Sequence, residues 1–361
     1  MASSGGDPSR FFPLAYQPSR DRLRRAAEAA GLSVHELPIG AAGPDGRPLA
    51  IDTVLCGDAA RKAVVVSSGV HGVETPLGAA IQTAWLERLA GGELRPPTGC
   101  TLALVHAVNP YGFAWGRRFN EDNVDLNRNF LLDGEAYRGS APMVEAFRSA
   151  FVGSRRLPGT SMPMALLAAR HGRRAFWETL PPGQYDHRDW IFYGGSELSE
   201  SGQRLKEWLP DALGAADEIV WLDFHTGLGR FGHGELLLPE RAPADEIQWW
   251  RQAFPAAPIV AATSEHRYAV QGGFGPWLKA VLPGSRLHYA TAEFGTYQGF
   301  RMLRALIEEN GATRRDPTIG PDHPARKRLA AAFAPRSPRW QRQTFAQGMD
   351  WVQRAMDRLA G

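Results

Sequence analysis

Cysteine is nearly missing: the 361 residues contain two, Cys56 and Cys100, with no CxxC spacing. That excludes a disulfide framework and a thiolate zinc knot, and leaves two buried thiols in strand-like surroundings. Long hydrophobic runs are missing too. None approaches the ~20 residues a membrane helix requires, so no membrane partner is expected. The opening stretch, MASSGGDPSRFFPLAY, has no basic segment followed by an apolar one, and the reading is a cytoplasmic protein without a signal peptide. Neither sign of charge dominates: 41 Lys and Arg stand against 38 Asp and Glu. The arginines come in short, scattered groups, such as Arg24–Arg25, Arg155–Arg156, Arg173–Arg174 and Arg314–Arg315, not in a stripe. Nucleic acid is therefore not an expected partner. Repeats, low-complexity linkers and a Walker loop are also lacking. The glycine runs GFGPWL and GLGRFGHG do not sit between a strand and a helix as a dinucleotide site demands.

What remains is an ordinary globular composition, 43% hydrophobic and 22% charged, long enough for a sizeable core. The pattern predicts a disordered tail over 1–10 and one domain over 11–361, with a helical and looped insertion around 141–213. A helix is predicted over 19–31, closed by Gly31. SVHELPI and LAIDTVLCG read as strands about a GPDG turn. KAVVVSSG, CTLALVHAVNP, DEIVWLDFHTG and RLHYATAEFG are continuous apolar runs of the kind buried on both faces of a sheet. Between them lie helical patterns: ETPLGAAIQTAWLERLAGG, DEIQWWRQAF, GGFGPWLKAVL and FRMLRALIEEN. GELLL and APIVAAT are shorter strands, and two helices close the chain. The fold class is thus α/β, a mostly parallel or mixed sheet with helices on both faces. Sites in such sheets lie beyond the carboxyl ends of the strands.

The polar residues at those ends form a short series. His71 and Glu74 follow the first buried strand. Asn109, Arg117, Arg118, Asp125, Asn127 and Arg128 follow the second. Asp223 and His225 end the third, and Glu293 ends the fourth. Singly these are weak signals. HxxE recurs by chance, a lone histidine is more often a satisfied core residue, and DLNRNF reads as an Asx-turn loop. Jointly they are chemically complete. Two imidazoles and a carboxylate suffice for catalytic zinc with an open coordination position. A second carboxylate off the metal suits a general base, and a guanidinium suits an oxyanion or a substrate carboxylate.

The series HGVE, NPYG, VDLNRNF, DFHTG and TAEFGT resembles the zinc carboxypeptidase clan, which also holds the aspartoacylase and succinylglutamate desuccinylase group. More closely it is similar to the DUF2817 subgroup, through SSGVHGVE, NEDNVDLNRNF, GQYDHRDWIFYGG, WLDFHTGLG and AEFGTY. The likeness spans residues from about 11 to 360. It implies a zinc-carboxypeptidase-like α/β fold and one Zn2+ held by His71, Glu74 and His225. It implies Arg118, with Arg117 as substitute, at the scissile carbonyl. Asn127 and Arg128 would hold a substrate carboxylate, Glu293 would be the general base, and Asp125 would orient His71 through its other ring nitrogen. The implied activity is hydrolysis of an amide bond in a small peptide or peptide-like substrate, and N-acyl amino acid deacylation is the second form. A metal- or ligand-binding protein without turnover is a remote third; against it stands Glu293, for which a silent site has no chemical need. One departure is Thr75-Pro76 after HGVE, where relatives carry Gly-Phe. Another is the tyrosine many carboxypeptidases fold over the substrate, for which Tyr268, Tyr289 and Tyr297 are candidates and none matches by motif.

Other residues carry less. Asp223 shares a strand face with His225 and reads equally as its support or as a strand-end cap. His106 falls on the face of Leu102 and Leu104 and reads as core. His233 reads as a solvated loop residue ahead of a substrate contact. Trp249 and Trp250 read as packing. Tyr185, His187 and Tyr193 belong to a loop that either packs on the domain or shapes substrate access. Oligomeric state is not legible.

Overall fold

The computed structural model describes residues 7–13, 15–57, 61–141, 143–152, 182–240, 242–261 and 271–360. The apolar runs become one eight-stranded mixed sheet. Its strands are β1 (Val34–Ala42), β2 (Pro48–Cys56), β3 (Lys62–Ser68), β4 (Thr101–His106), β5 (Glu218–Gly227), β6 (Gly234–Leu237), β7 (Ile259–Val260) and β8 (Arg286–Gly295), in spatial order β1-β2-β4-β3-β5-β8-β6-β7. The middle four, β4-β3-β5-β8, are mutually parallel. The antiparallel pairs lie on either side, β1 with β2, β2 with β4 and β6 with β8.

Register sorts the side chains. On one face Val64 and Val66 of β3 lie beside Val220, Leu222 and Phe224 of β5 and Ala290, Ala292 and Phe294 of β8. Against this face pack α1 (Tyr16–Ala29), α2 (Thr75–Ala90) and the closing helix Pro338–Ala360. The opposite face carries Val65, Trp221 and Tyr289, covered by helices Glu200–Leu213 and Phe274–Val281. Further along that second face, toward the carboxyl ends, the same period of two places Ser67, Asp223, Thr291, His225 and Glu293. The apolar side of each strand thus anchors the register that aligns the polar residues.

Helix α3 (Pro110–Trp115) packs Phe113 and Ala114 with Tyr16, Ile39 and Leu49, while the apolar residues of α4 (Met143–Val152), α5 (Gly299–Arg315) and α6 (Pro324–Phe333) join Val73, Phe119 and Trp190–Phe192 in a separate cluster. Among the described residues no helix is long and apolar enough to cross a membrane.

Some expectations change. Residues 1–6 lie outside the described set. Residues 7–10, expected in a disordered tail, form with Phe11 a 3-10 turn, Pro8–Phe11, capped by the Asp7 side chain. The reason is Phe11, which is buried and stacked on Phe345 with ring centroids 5.5 Å apart. Of the insertion expected over 141–213, residues 153–181 lie outside the described set. Its ends are helical, and 182–197 form an ordered loop bridged at Gln184 to Ser140 and Tyr193. The polar loop after β4 hides α3, started by Asn109, whose side chain accepts from the Gly112 N–H at 2.7 Å. Cys56 and Cys100 are buried thiols, and burial pushes the Cys56 thiol up to about 11.

His106 is a core residue, 1% exposed. Its ring nitrogens lie 3.2 Å from Ser19 Oγ and 3.0 Å from Gln82 Oε1. Burial lowers its pKa from 6.5 to about 4. In the unfolded chain the imidazole takes a proton below 6.5, while in the fold it stays neutral to about 4. Stability is therefore complete above pH 6.5 and falls as pH drops through this window, by about 3 kcal/mol for a shift of that size. A His106→Gln variant should show a shallower loss between pH 6.5 and 4 in urea titrations. An identical slope would mean that another group sets the acid limit.

Candidate metal centre

The turn after β3 sets the first two side chains. His71 caps a 3-10 turn, Gly72–Glu74, which runs directly into α2 with Pro76 in its first turn. Gly72 is needed for closeness: a Cβ there would fall 2.1 Å from the Gly112 carbonyl carbon and 2.3 Å from the Phe113 nitrogen. The Gly72 N–H also donates to the Arg118 carbonyl at 3.2 Å. His225 arrives from β5, in register with Glu293 on β8.

These elements bring His71, Glu74 and His225 together, all buried, with donor atoms within 4.8 Å of one another. His225 Nδ1 is 3.2 Å from His71 Nδ1 and 3.0 Å from Glu74 Oε2, and His71 Nδ1 is 2.9 Å from Glu74 Oε1. The far nitrogens are committed to carboxylates. His71 Nε2 is 3.0 Å from Asp125 Oδ1, and His225 Nε2 is 2.7 Å from Asp223 Oδ2. A carboxylate only accepts, so a ring proton on Nε2 satisfies each aspartate and turns the Nδ1 lone pair inward. Two lone pairs and an anionic oxygen then face one point, which is repulsive unless a proton or a metal cation lies between them. Ligands about 2.0–2.1 Å from one tetrahedral zinc stand about 3.3 Å apart; the separations here fit that donor set.

The surroundings are charged and dry. Burial pushes the Glu74 carboxyl up, but His71, His225 and Arg118 outweigh it and hold it well below the usual carboxylate range. Asp125 is likewise buried, and Arg118, His71 and Arg128 hold it well below its ordinary value. For His225 burial opposes charge, and Asp223 with Glu74 overcomes it, raising the imidazole well above its ordinary value. Acid therefore competes with a cation at this Nδ1.

Arg118 donates from Nε to Asp125 at 3.0 Å and from Nη1 to Glu74 at 2.7 Å, which carries Nη2 to within 2.7 Å of His71 Nε2. Its guanidinium lies between the rings of Phe192 and Phe333, 5.7 and 5.9 Å from their centroids. Glu293 stays outside the ligand trio, and its Oε1 accepts the Leu228 N–H at 2.8 Å. Asn127 accepts the Phe274 N–H at 3.1 Å, fixing the loop to helix Phe274–Val281. The buried Arg128 donates to the Asn127 carbonyl at 2.7 Å and lies over the Phe192 ring.

Arg117 faces the other way. Its Nε donates to Glu309 at 2.9 Å and its Nη2 to Asn123 at 2.7 Å, so it is committed away from the metal cluster. Of the adjacent pair, only Arg118 reaches Glu74 and Asp125. Tyr289 lies beneath the cluster, buried, its hydroxyl donating to Asp223 at 3.1 Å. Tyr297 packs on Phe231 and under Arg301, and Tyr268 falls outside the described residues. His233 is exposed, and Trp249 stacks on His288 at 3.7 Å.

The sequence reading missed the support below His225. Ser67 donates to Asp223 at 2.6 Å, and the Trp221 indole donates to Ser67 at 2.7 Å. The available signal was parity: Ser67 and Asp223 are register partners on the His225 face. With Tyr289, these donors fix Asp223 as the acceptor for His225. Asp223→Asn should weaken metal retention about 10–100-fold, as read by competition with a chelator. Unchanged affinity would reduce Asp223 to a strand-end cap.

The sequence profile described as "Protein of unknown function (DUF2817)" matches residues 12–347. No curated protein matches the chain by sequence. Among solved structures, bovine thrombin-activatable fibrinolysis inhibitor in complex with tick carboxypeptidase inhibitor is 13% identical, covering 97% of this chain and 98% of its own, with a TM-score of 0.54. A second structure of thrombin-activatable fibrinolysis inhibitor is 12% identical, over 99% and 77%, with a TM-score of 0.55. Carboxypeptidase A from Helicoverpa armigera is 17% identical, over 92% and 77%, with a TM-score of 0.49. At these identities the shared property is the fold, the zinc-carboxypeptidase-like α/β class.

Proposed function

The chain belongs to the DUF2817 family, and we propose that it is a zinc-dependent hydrolase of amide bonds in small, carboxylate-bearing peptides or peptide-like molecules. One observation carries the reading: two imidazole Nδ1 atoms and the Glu74 carboxylate converge, while Asp125 and Asp223 hold the opposite ring nitrogens. The structural likeness to bovine thrombin-activatable fibrinolysis inhibitor supports it at the level of fold.

His71, Glu74 and His225 would hold the ion. When bound, it would supply Lewis acidity and lower the pKa of water toward ~7. The chain's own groups do the rest. Glu293 takes the proton of the attacking water and returns it to the leaving amine. Arg118 gives up its Nη1 bond to Glu74 and donates to the carbonyl oxygen as negative charge develops there. Asn127 and Arg128 hold the substrate carboxylate, Arg128 by charge-assisted hydrogen bonds. Asp125 and Asp223 keep the imidazoles oriented. The aromatic rings of Phe192 and Phe333 exclude water around Arg118, which strengthens its donation.

The test is a panel of C-terminally free di- and tripeptides set against N-acyl amino acids, with metal content measured on the same sample. Hydrolysis of the peptides that is lost on chelation and restored by zinc is the expected result. Turnover confined to N-acyl amino acids would make the protein a deacylase. A fully zinc-loaded protein inert toward both sets would overturn the reading.

A further inference from the structure

Phe192 holds a backbone shape that its side chain resists. Among the described residues, three other than glycine have a positive φ: Ala107 at 62°, Asn123 at 63° and Phe192 at 58°. Asparagine tolerates the left-handed region. A bulky aromatic residue there is an outlier, and its strain persists only where the surroundings over-determine it. Here they do. Gln184, itself buried, donates from its backbone N–H to the Phe192 carbonyl at 3.1 Å and accepts the Gly194 N–H at 2.8 Å. Its side chain donates to the carbonyls of His187 at 2.7 Å and Ile191 at 3.4 Å. Asn123 Nδ2 donates to the Trp190 carbonyl at 3.1 Å, and the Asp125 N–H to the Tyr193 carbonyl at 2.7 Å. The chain places glycine at the next left-handed position, Gly195, with φ at 92°, and a phenylalanine at this one.

What that shape delivers is the ring. It is buried, and the Cζ atoms of Arg118 and Arg128 each lie 5.7 Å from its centroid. The same loop grips Arg128 twice more. The Tyr185 hydroxyl donates to the Arg128 carbonyl at 2.7 Å, and a Cβ on Gly183 would fall 2.8 Å from Arg128 Cδ. A ring attracts a guanidinium through its face and takes none of its N–H donors. A carboxylate in the same place would pair with those donors and compete with a substrate for them. We infer that Phe192 is a positioning residue that sets Arg118 and Arg128 relative to each other. Through them it fixes the separation between the scissile carbonyl and the carboxylate of a substrate. The inference rests on the roles proposed above for the two arginines. The 182–197 loop then does more than pack on the domain or shape its entrance: it presents one strained ring to two cations. A misplacement of about 1 Å at a reacting group can cost about a hundredfold in rate, so an accurately placed ring repays its strain.

The test compares Phe192→Tyr, which keeps the ring, with Phe192→Leu, which keeps apolar bulk alone; Phe192→Met replaces the latter if it does not fold. Crystal structures of the full chain should show at least one of the two guanidiniums displaced by about 1 Å or more in Phe192→Leu. Both should be in place in Phe192→Tyr, with His71, Glu74 and His225 unmoved in either variant. Kinetics on short peptides and their C-terminal amides form the second arm. The preference for the free acid should fall about tenfold in Phe192→Leu and be kept in Phe192→Tyr. A residue that only fills space would lower turnover of acid and amide alike. An unmodified chain inert toward both would end the hydrolase reading and leave the crystal structures to decide the placement, which displaced guanidiniums would support. Guanidiniums in place in Phe192→Leu, or displaced beside an unaltered preference for the free acid, would overturn the inference.

Discussion

Glu293→Gln is expected to lower hydrolysis by about two to four orders of magnitude while the protein keeps its full metal content. The substitution preserves shape. The Leu228 N–H, which donates to Glu293 Oε1 at 2.8 Å, finds the same acceptor in a glutamine. It removes only the ability to take and return a proton. The carboxylate lies in register with His225 on the neighbouring parallel strand and belongs to the metal-facing side of the sheet, yet it is not one of the three converging ligands. The measurement pairs turnover with metal analysis on one sample. Unchanged turnover would remove Glu293 from the mechanism. Loss of the metal along with activity would show instead that Glu293 helps to hold the ion.

The second large effect concerns His225→Ala, which should abolish retention of a divalent ion through dialysis and also destabilise the fold. The two losses have different origins. Removing Nδ1 leaves two ligands, too few for tight zinc binding. Removing Nε2 leaves Asp223 as a buried carboxylate whose remaining partners are the hydroxyls of Ser67 and Tyr289. Breaking one side of a buried pair costs about 3–5 kcal/mol. A double variant, His225→Ala with Asp223→Asn, should recover part of the thermal stability and none of the metal. If the single and double variants unfold at the same temperature, the pair contributes nothing to the fold and serves the ligand alone.

Much of this was legible because parallel strands buried on both faces must be apolar throughout, so their ends are marked by the first polar residues. That is how His71, Glu74, Asp223, His225 and Glu293 stand out from sequence, and the sheet order brings them to one rim. Other features were hidden for physical reasons. Ser67 and Trp221 read as ordinary strand residues and Tyr289 as one candidate to cover the substrate, and only the pairing of β3, β5 and β8 shows that they share a face with His225. The choice between Arg117 and Arg118 depends on which side of the chain each faces, and that is settled by Glu309, nearly two hundred positions later. The order of residues 7–10 depends on Phe345, in the closing helix, for the same reason. Long-range partners leave no local trace.

The seam between Gly72 and the Gly112–Phe113 backbone has a consequence for how this scaffold can change. Where a methyl group will not fit and the Gly72 N–H donates a hydrogen bond to the carbonyl of Arg118, the turn with the His71 and Glu74 side chains and the segment with the arginine are one rigid piece. The loops at 182–197 and 228–233 are tied to the same set of groups, since the Asp125 N–H donates to the Tyr193 carbonyl at 2.7 Å and the Leu228 N–H to Glu293 at 2.8 Å. Exchanging either loop should therefore disturb the reactive groups together with the entrance, so that selectivity cannot drift there independently of the chemistry.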